Sequence, residues 1–175
     1  MIETIFLESA IKQFNDYKEL GEKTFAQLQE SDFYYQPNEY TNSLAQQITH
    51  LHGNMLSRWT HFLTEDGEKD WRKRDAEFEL EKLSLSELMD LWDEGWSCLL
   101  DTLQQLTSDD LNATVYIRTK PLKVVEAIHR QLTHYAYHVG QIVHIGKTIK
   151  SNEWQSLSIP IGGSQAYNQH LKDEK

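Results

Sequence analysis

Four stretches of this chain carry apolar residues at steps of three and four, and that period leaves few folds open. The first runs from about Ile2 to Leu28 through Phe6, Ala10, Phe14, Tyr17, Gly21 and Thr24. The second begins near Asn42 or Ser43, both good N-caps, and continues through Leu44, Ile48, Leu51, Met55, Trp59 and Phe62 until Gly67 ends the spacing. The third opens on "SLSE", where Ser84 and Glu87 have capping-box spacing, and follows Leu88, Leu91, Trp92, Trp96, Leu99, Leu103 and Leu106. The fourth spans about Leu122 to Ile149 with Val124, Ile128, Leu132, Tyr135, Val139 and Ile142 inside. Glycine (8) and proline (3) are scarce, which favours long helices over a turn-rich β fold. The pattern predicts an all-α four-helix bundle, one domain over residues 1–175.

Between these stretches the sequence gives weaker instructions. "EDGEKDWRKRDAEFELEKL" reads as a charged connector between helices two and three, a solvated loop with local ion pairs. "TVYIRT" has strand-like residues, but one strand cannot build a sheet, so it is expected to be an extended connector or a short strand. The tail, with Pro160, Gly162 and Gly163, reads as a C-terminal loop segment, and "IPIGGS" within it is a candidate cover for a site.

A formal net charge of -10 argues against nucleic-acid binding, because phosphate recognition needs a basic surface. The only basic run, "WRKR", is followed at once by Asp75, Glu77 and Glu79. No apolar run approaches the roughly 18–20 residues of a membrane span. The N-terminus carries acids where a signal peptide would be positive. With Cys98 as the sole cysteine, no intramolecular disulfide forms, and it reads as a half-buried structural thiol beside the third stripe. The expectation is a cytoplasmic protein with no nucleic-acid or membrane partner.

"HYAYHVGQ", from His134 to Gln141, then raises a chemical question. His134 and His138 stand one helical turn apart at one edge of the fourth stripe, with Gln141 on the same flank. Imidazole is a common metal ligand, yet an i,i+4 pair supplies only two ligands where a catalytic site wants three and an open position. A third ligand must come from another helix, and "THLHGN" offers His50 and His52. Stripe geometry puts His52 nearer the apolar face and His50 on a polar flank with Gln47, Asn54 and Arg58. Both remain open on spacing alone. Tyr135 reads as core and Tyr137 as exposed or interfacial.

"HLHGN" and "HYAYHVGQI" together resemble the motifs of the DinB-like superfamily of bacterial metal-binding four-helix bundles, which includes the YfiT-type proteins. Helix order and spacing over most of the chain are similar too. The resemblance implies that His50, His134 and His138 are the metal ligands, with His52 the histidine that blurs the match. It implies a divalent metal ion, zinc by default with nickel, iron or manganese as alternatives. It implies a homodimer, for which Trp92 and Trp96 are a candidate seam. It also implies a small-molecule substrate and a metal-dependent thiol transferase using a low-molecular-weight thiol, with metal-dependent hydrolysis second. Gln141 is a candidate partner for a ligated water, and Arg58 for an anionic substrate or for the acidic connector. The competing accounts are a non-catalytic metal-binding or sensor protein and a dimeric interaction bundle.

Overall fold

A computed structural model describes residues 2–79 and 82–173. Met1, Glu174, Lys175 and two positions of the predicted connector, Leu80 and Glu81, lie outside the described residues. Helices α1 (Ile2–Phe25), α2 (Leu44–Trp59), α3 (Leu85–Gln105) and α4 (Val124–Lys150) follow the apolar stripes. Ser43 caps α2, accepting from the Gln46 amide while the Gln46 side chain accepts from the Ser43 amide, and Ser84 and Glu87 cap α3 in the same way. Helix α2 ends earlier than its stripe suggests. Thr60 is extended and His61 takes a left-handed conformation (φ 50°), while Phe62 still returns to the core from the turn that follows.

A simple four-helix bundle with a loop tail does not describe this chain. A fifth helix, α5 (Ser164–Asp173), occupies the segment expected to be loop, and a two-stranded antiparallel hairpin precedes α4. Helix α5 buries none of its residues, so it has no apolar stripe to find. The hairpin pairs β1 (Thr114–Ile117) with β2 (Lys120–Lys123) in the register Thr114↔Lys123 to Ile117↔Lys120. "TVYIRT" thus has a partner after all. That partner, "KPLK", contains a proline and no alternation, so the sequence conceals it. Arg118 and Thr119 form the turn at φ 54° and 64°, without glycine or asparagine. Asp66 steadies it, accepting from the Arg118 amide (2.8 Å) and the Thr119 amide (2.7 Å).

Helix α2 packs chiefly on α3 and α1 on α4, and α2 meets α4 where the histidines converge. In the centre Phe14 meets Trp59 edge-to-face and Tyr135 at a tilt, with Trp96 edge-to-face against Tyr135 at 5.9 Å. Trp92 and Trp96 are 3% and 0% exposed, so they belong to this core and cannot form the expected dimer seam. The Trp92 ring lies against Gly21 so closely that a Cβ there would sit 2.5 Å from it. Among the described residues, no helix is long and apolar enough to cross a membrane.

The charged connector is more ordered than its composition suggests. Asp75–Phe78 forms a turn of 3-10 helix that docks on α2. The Thr49 hydroxyl donates to the Glu77 carbonyl (2.6 Å), and the Gln46 side chain donates to the Phe78 carbonyl (2.8 Å).

Candidate metal centre

His50 on α2 and His134 and His138 on α4 face one another across the helix pair. One ligand nitrogen from each lies within 4.8 Å of the other two. The Nε2 atoms of His134 and His138 are 3.1 Å apart. An ion with bonds of about 2.0–2.1 Å in tetrahedral geometry holds imidazole nitrogens roughly 3.3 Å apart, so the edge between His134 and His138 is already close to that spacing and the His50 nitrogen lies within 4.8 Å of both. The cluster is therefore capable of coordinating a divalent ion.

Two of the rings are oriented by neighbours. His50 Nδ1–H donates to Glu77 Oε2 at 2.8 Å, and Arg72 grips the same carboxylate through Nε (2.7 Å) and Nη2 (2.9 Å). His138 Nδ1–H donates to Gln47 Oε1 at 2.6 Å, and Gln47 Nε2 donates to Gln141 Oε1 at 2.9 Å. Both acceptors are oxygens without hydrogen, which fixes the Nδ1–H tautomer and leaves the Nε2 lone pairs free. His134 is different: its Nδ1 is buried with no hydrogen-bond partner among the described residues. Its Nε2 either donates to His138, leaving Nδ1 an orphaned acceptor, or both Nε2 lone pairs point at one spot. A cation at that spot would satisfy both lone pairs, while His134 Nδ1 stays without a hydrogen-bond partner among the described residues.

The electrostatics favour neutral ligands. Burial, followed by the nearby His138 and His50, pushes His134 down to about 3. Burial, then His50, pushes His138 down to about 4. Neither ring carries a proton in competition with a metal at neutral pH. For Glu77, burial alone would raise the carboxyl, but the hydrogen bonds from His50 and Arg72 outweigh it and hold it below the usual carboxylate range.

His50 rather than His52 joins the pair on α4. His52 turns towards α3 and meets Glu94 at 2.8 Å. The slight preference of stripe geometry for His52 fails because α2 is covered on more than its apolar face. The segment Asp75–Phe78 roofs the polar flank, and Phe78 stacks on His50 with ring centres 5.0 Å apart. Ser43, Gln47, His50, Asn54 and Arg58 thus form a second helical stripe, polar but buried.

The remaining expected residues fall nearby. Gln141 reaches the centre only through Gln47. Arg58 pairs with Glu68 in the connector at 3.0 Å and also donates to the Gly67 carbonyl. Asn54 accepts from Gln131 (2.9 Å) and Tyr135 (3.1 Å) beneath the site. Tyr135 is buried, and burial pushes its hydroxyl up to about 12. Tyr137 is exposed at the rim. Cys98 packs against Thr60 away from the histidines, with its thiol pushed up by burial. "IPIGGS" does not contribute to the cavity that the histidines line.

Three functional-looking residues escape sequence reasoning: Arg72, Glu77 and Phe78, all in the connector. The Arg72 side chain is only 2% exposed and Glu77 10%, so the solvated-loop reading fails at these two residues, while Trp71, Lys73, Arg74 and Asp75 around them are exposed. Gly53 was the available signal. A mid-helix glycine costs roughly 1 kcal/mol relative to alanine and needs a reason. Here a Cβ would collide with the Glu77 carboxylate.

The three rings open on a cavity of about 360 Å³. A family described as "protein of unknown function (DUF1572)" matches residues 1–163. No curated protein and no solved structure matches the chain. Because the match runs from α1 to the residue before α5, the chain belongs to the DUF1572 family.

Proposed function

We propose that this protein is a metal-dependent enzyme in which His50, His134 and His138 hold a divalent ion that activates a thiol co-substrate, or water as second choice, towards a small electrophile. One observation carries the reading: three imidazoles converge beside an open cavity, with no fourth protein ligand among the described residues. Structural zinc sites are closed by four ligands, whereas catalytic sites keep a position for substrate. That arrangement supports catalysis over a purely structural or sensing ion. The ion would supply Lewis acidity that stabilises an anionic nucleophile at neutral pH. Glu77 and Gln47 hold two of the rings in their ligating tautomer. No cysteine lines the cavity, so a thiol nucleophile has to arrive with the co-substrate. The likeness of "HLHGN" and "HYAYHVGQI" to DinB-like metal-binding proteins, some of them thiol-dependent transferases, supports the same assignment. Zinc is the default ion, with nickel, iron or manganese as alternatives.

Elemental analysis of protein purified without a histidine tag tests the centre. The expected result is near-stoichiometric metal in the wild type and in His52→Ala, and its loss in His50→Ala and in the double variant His134→Ala/His138→Ala. Absence of metal after supplementation with each candidate ion would overturn the proposal. Turnover of thiol and electrophile pairs that survives the double variant would remove the mechanism while leaving the site.

A further inference from the structure

Every arginine in the chain lines the cavity beside the three histidines. Arg58 comes from α2, Arg72 and Arg74 from the connector, Arg118 from the hairpin turn and Arg130 from α4. Among the described residues, no lysine, aspartate or glutamate lines it. The chain as a whole has 27 acidic residues against 17 basic ones. Four separate segments thus deliver their guanidiniums to one place on an acidic protein.

The nearby carboxylates do not balance them. Glu77 is engaged by Arg72 and His50. Glu68 is shared at 3.0 Å by Arg58 and Arg118. Asp75 lies 3.4 Å from Arg74. Arg130 meets only the amide oxygen of Gln131 and has no carboxylate partner among the described residues. Arg58 is 4% exposed, and its Nε is buried with no hydrogen-bond partner among the described residues. A buried guanidinium with an unused donor, on the wall of a cavity, is a request for an acceptor.

We infer that the cavity binds the anionic group of a small substrate, a carboxylate or phosphoryl oxyanion, between these arginines and beside the histidine cluster. The choice of arginine over lysine fits this chemistry, because the planar fork matches a carboxylate or phosphate with two parallel hydrogen bonds. At about 360 Å³ the space suits a small molecule rather than a polymer. Cationic walls in a partly desolvated cleft also concentrate anions from solution, the opposite of what the net charge implies. The inference deepens the proposed function by naming the substrate class, and it rests on that reading only for the metal beside the anion.

Calorimetric titration of the full chain, both metal-free and zinc-loaded, with inorganic phosphate, succinate and the neutral analogue 1,4-butanediol tests it. Wild type is expected to bind at least one of the anions in both forms and not the diol. Binding of phosphate alone assigns a phosphoryl group, and binding of succinate alone a carboxylate. The exposed pair Arg74→Ala/Arg130→Ala is expected to weaken that binding at least about tenfold. Lys12→Ala, on an exposed face of α1, leaves it unchanged. Failure of wild type to bind either anion, or undiminished binding in the double arginine variant, overturns the inference. Because the metal-free form is measured too, a failed elemental analysis with intact anion binding rejects the metal reading alone.

Discussion

Replacing Glu77 with alanine should damage the fold and the centre together, by amounts that follow from its partners. The carboxylate receives two hydrogen bonds from Arg72 and one from His50. Its loss leaves the Arg72 guanidinium, 2% exposed, without a counter-charge, and the His50 Nδ1–H without an acceptor. Breaking a buried ion pair by removing one partner costs about 3–5 kcal/mol, mostly as the penalty of the charge left behind. With a urea slope of about 2 kcal/mol per molar, the midpoint of the metal-free protein should fall by roughly 2 M. Metal affinity should fall about 10–100-fold, as when an outer partner of a ligating histidine is removed. The control is Glu77→Ala combined with Arg72→Met. Removing both charges should cost less than the two single changes added together, because neither charge is then stranded. Equilibrium urea unfolding and competitive metal titration provide both numbers. A Glu77→Ala midpoint and metal affinity equal to wild type would refute the account of the connector as part of the site.

Two further outcomes follow from the same geometry. Gly53→Ala should lower both thermal stability and metal affinity, although alanine is the better helix former by about 1 kcal/mol, because its methyl displaces the Glu77 carboxylate; a melting curve with and without zinc reads it. Metal-free protein should lose stability as pH falls from about 6.5 towards 4, because His134 and His138 stay neutral when folded, down to about 3 and about 4, while the unfolded chain takes up protons from pH 6.5 downward. Their contribution is fully present above the unfolded value and lost below it, so urea midpoints measured across this window should fall less steeply in His134→Ala/His138→Ala.

The sequence made the long helices legible because each has one apolar stripe long enough to outvote its neighbours. Ser84 with Glu87 marked the start of α3 for a local reason, the reciprocal hydrogen bonds of a capping box, and the pair Asn42 and Ser43 marked that of α2, where the structure selects Ser43 and adds Gln46 as its partner. Helix α5 and strand β2 were hidden for the opposite reason: one buries nothing and the other carries Pro121. The pair His134 and His138 was legible because both residues sit on one helix and share one period. The choice between His50 and His52 was not, because it depends on what covers each flank of α2. That cover is the Asp75–Phe78 turn, packed from a stretch whose composition reads as solvent-facing. Arg72 and Glu77 look like any surface ion pair until His50 supplies a third member and the fold removes the water.

The small hairpin that breaks the helical pattern has an architectural consequence. Its reverse bend holds an arginine in a backbone shape that side chains rarely adopt, and Asp66 fastens the two peptide groups there like a clasp. Arg118 thereby reaches over to Glu68 and the cavity rim from a part of the chain far from α2. The ribbon acts as a bracket on the side of a helical frame. Loosening Asp66 would swing away one wall of the chamber while leaving its histidine floor standing.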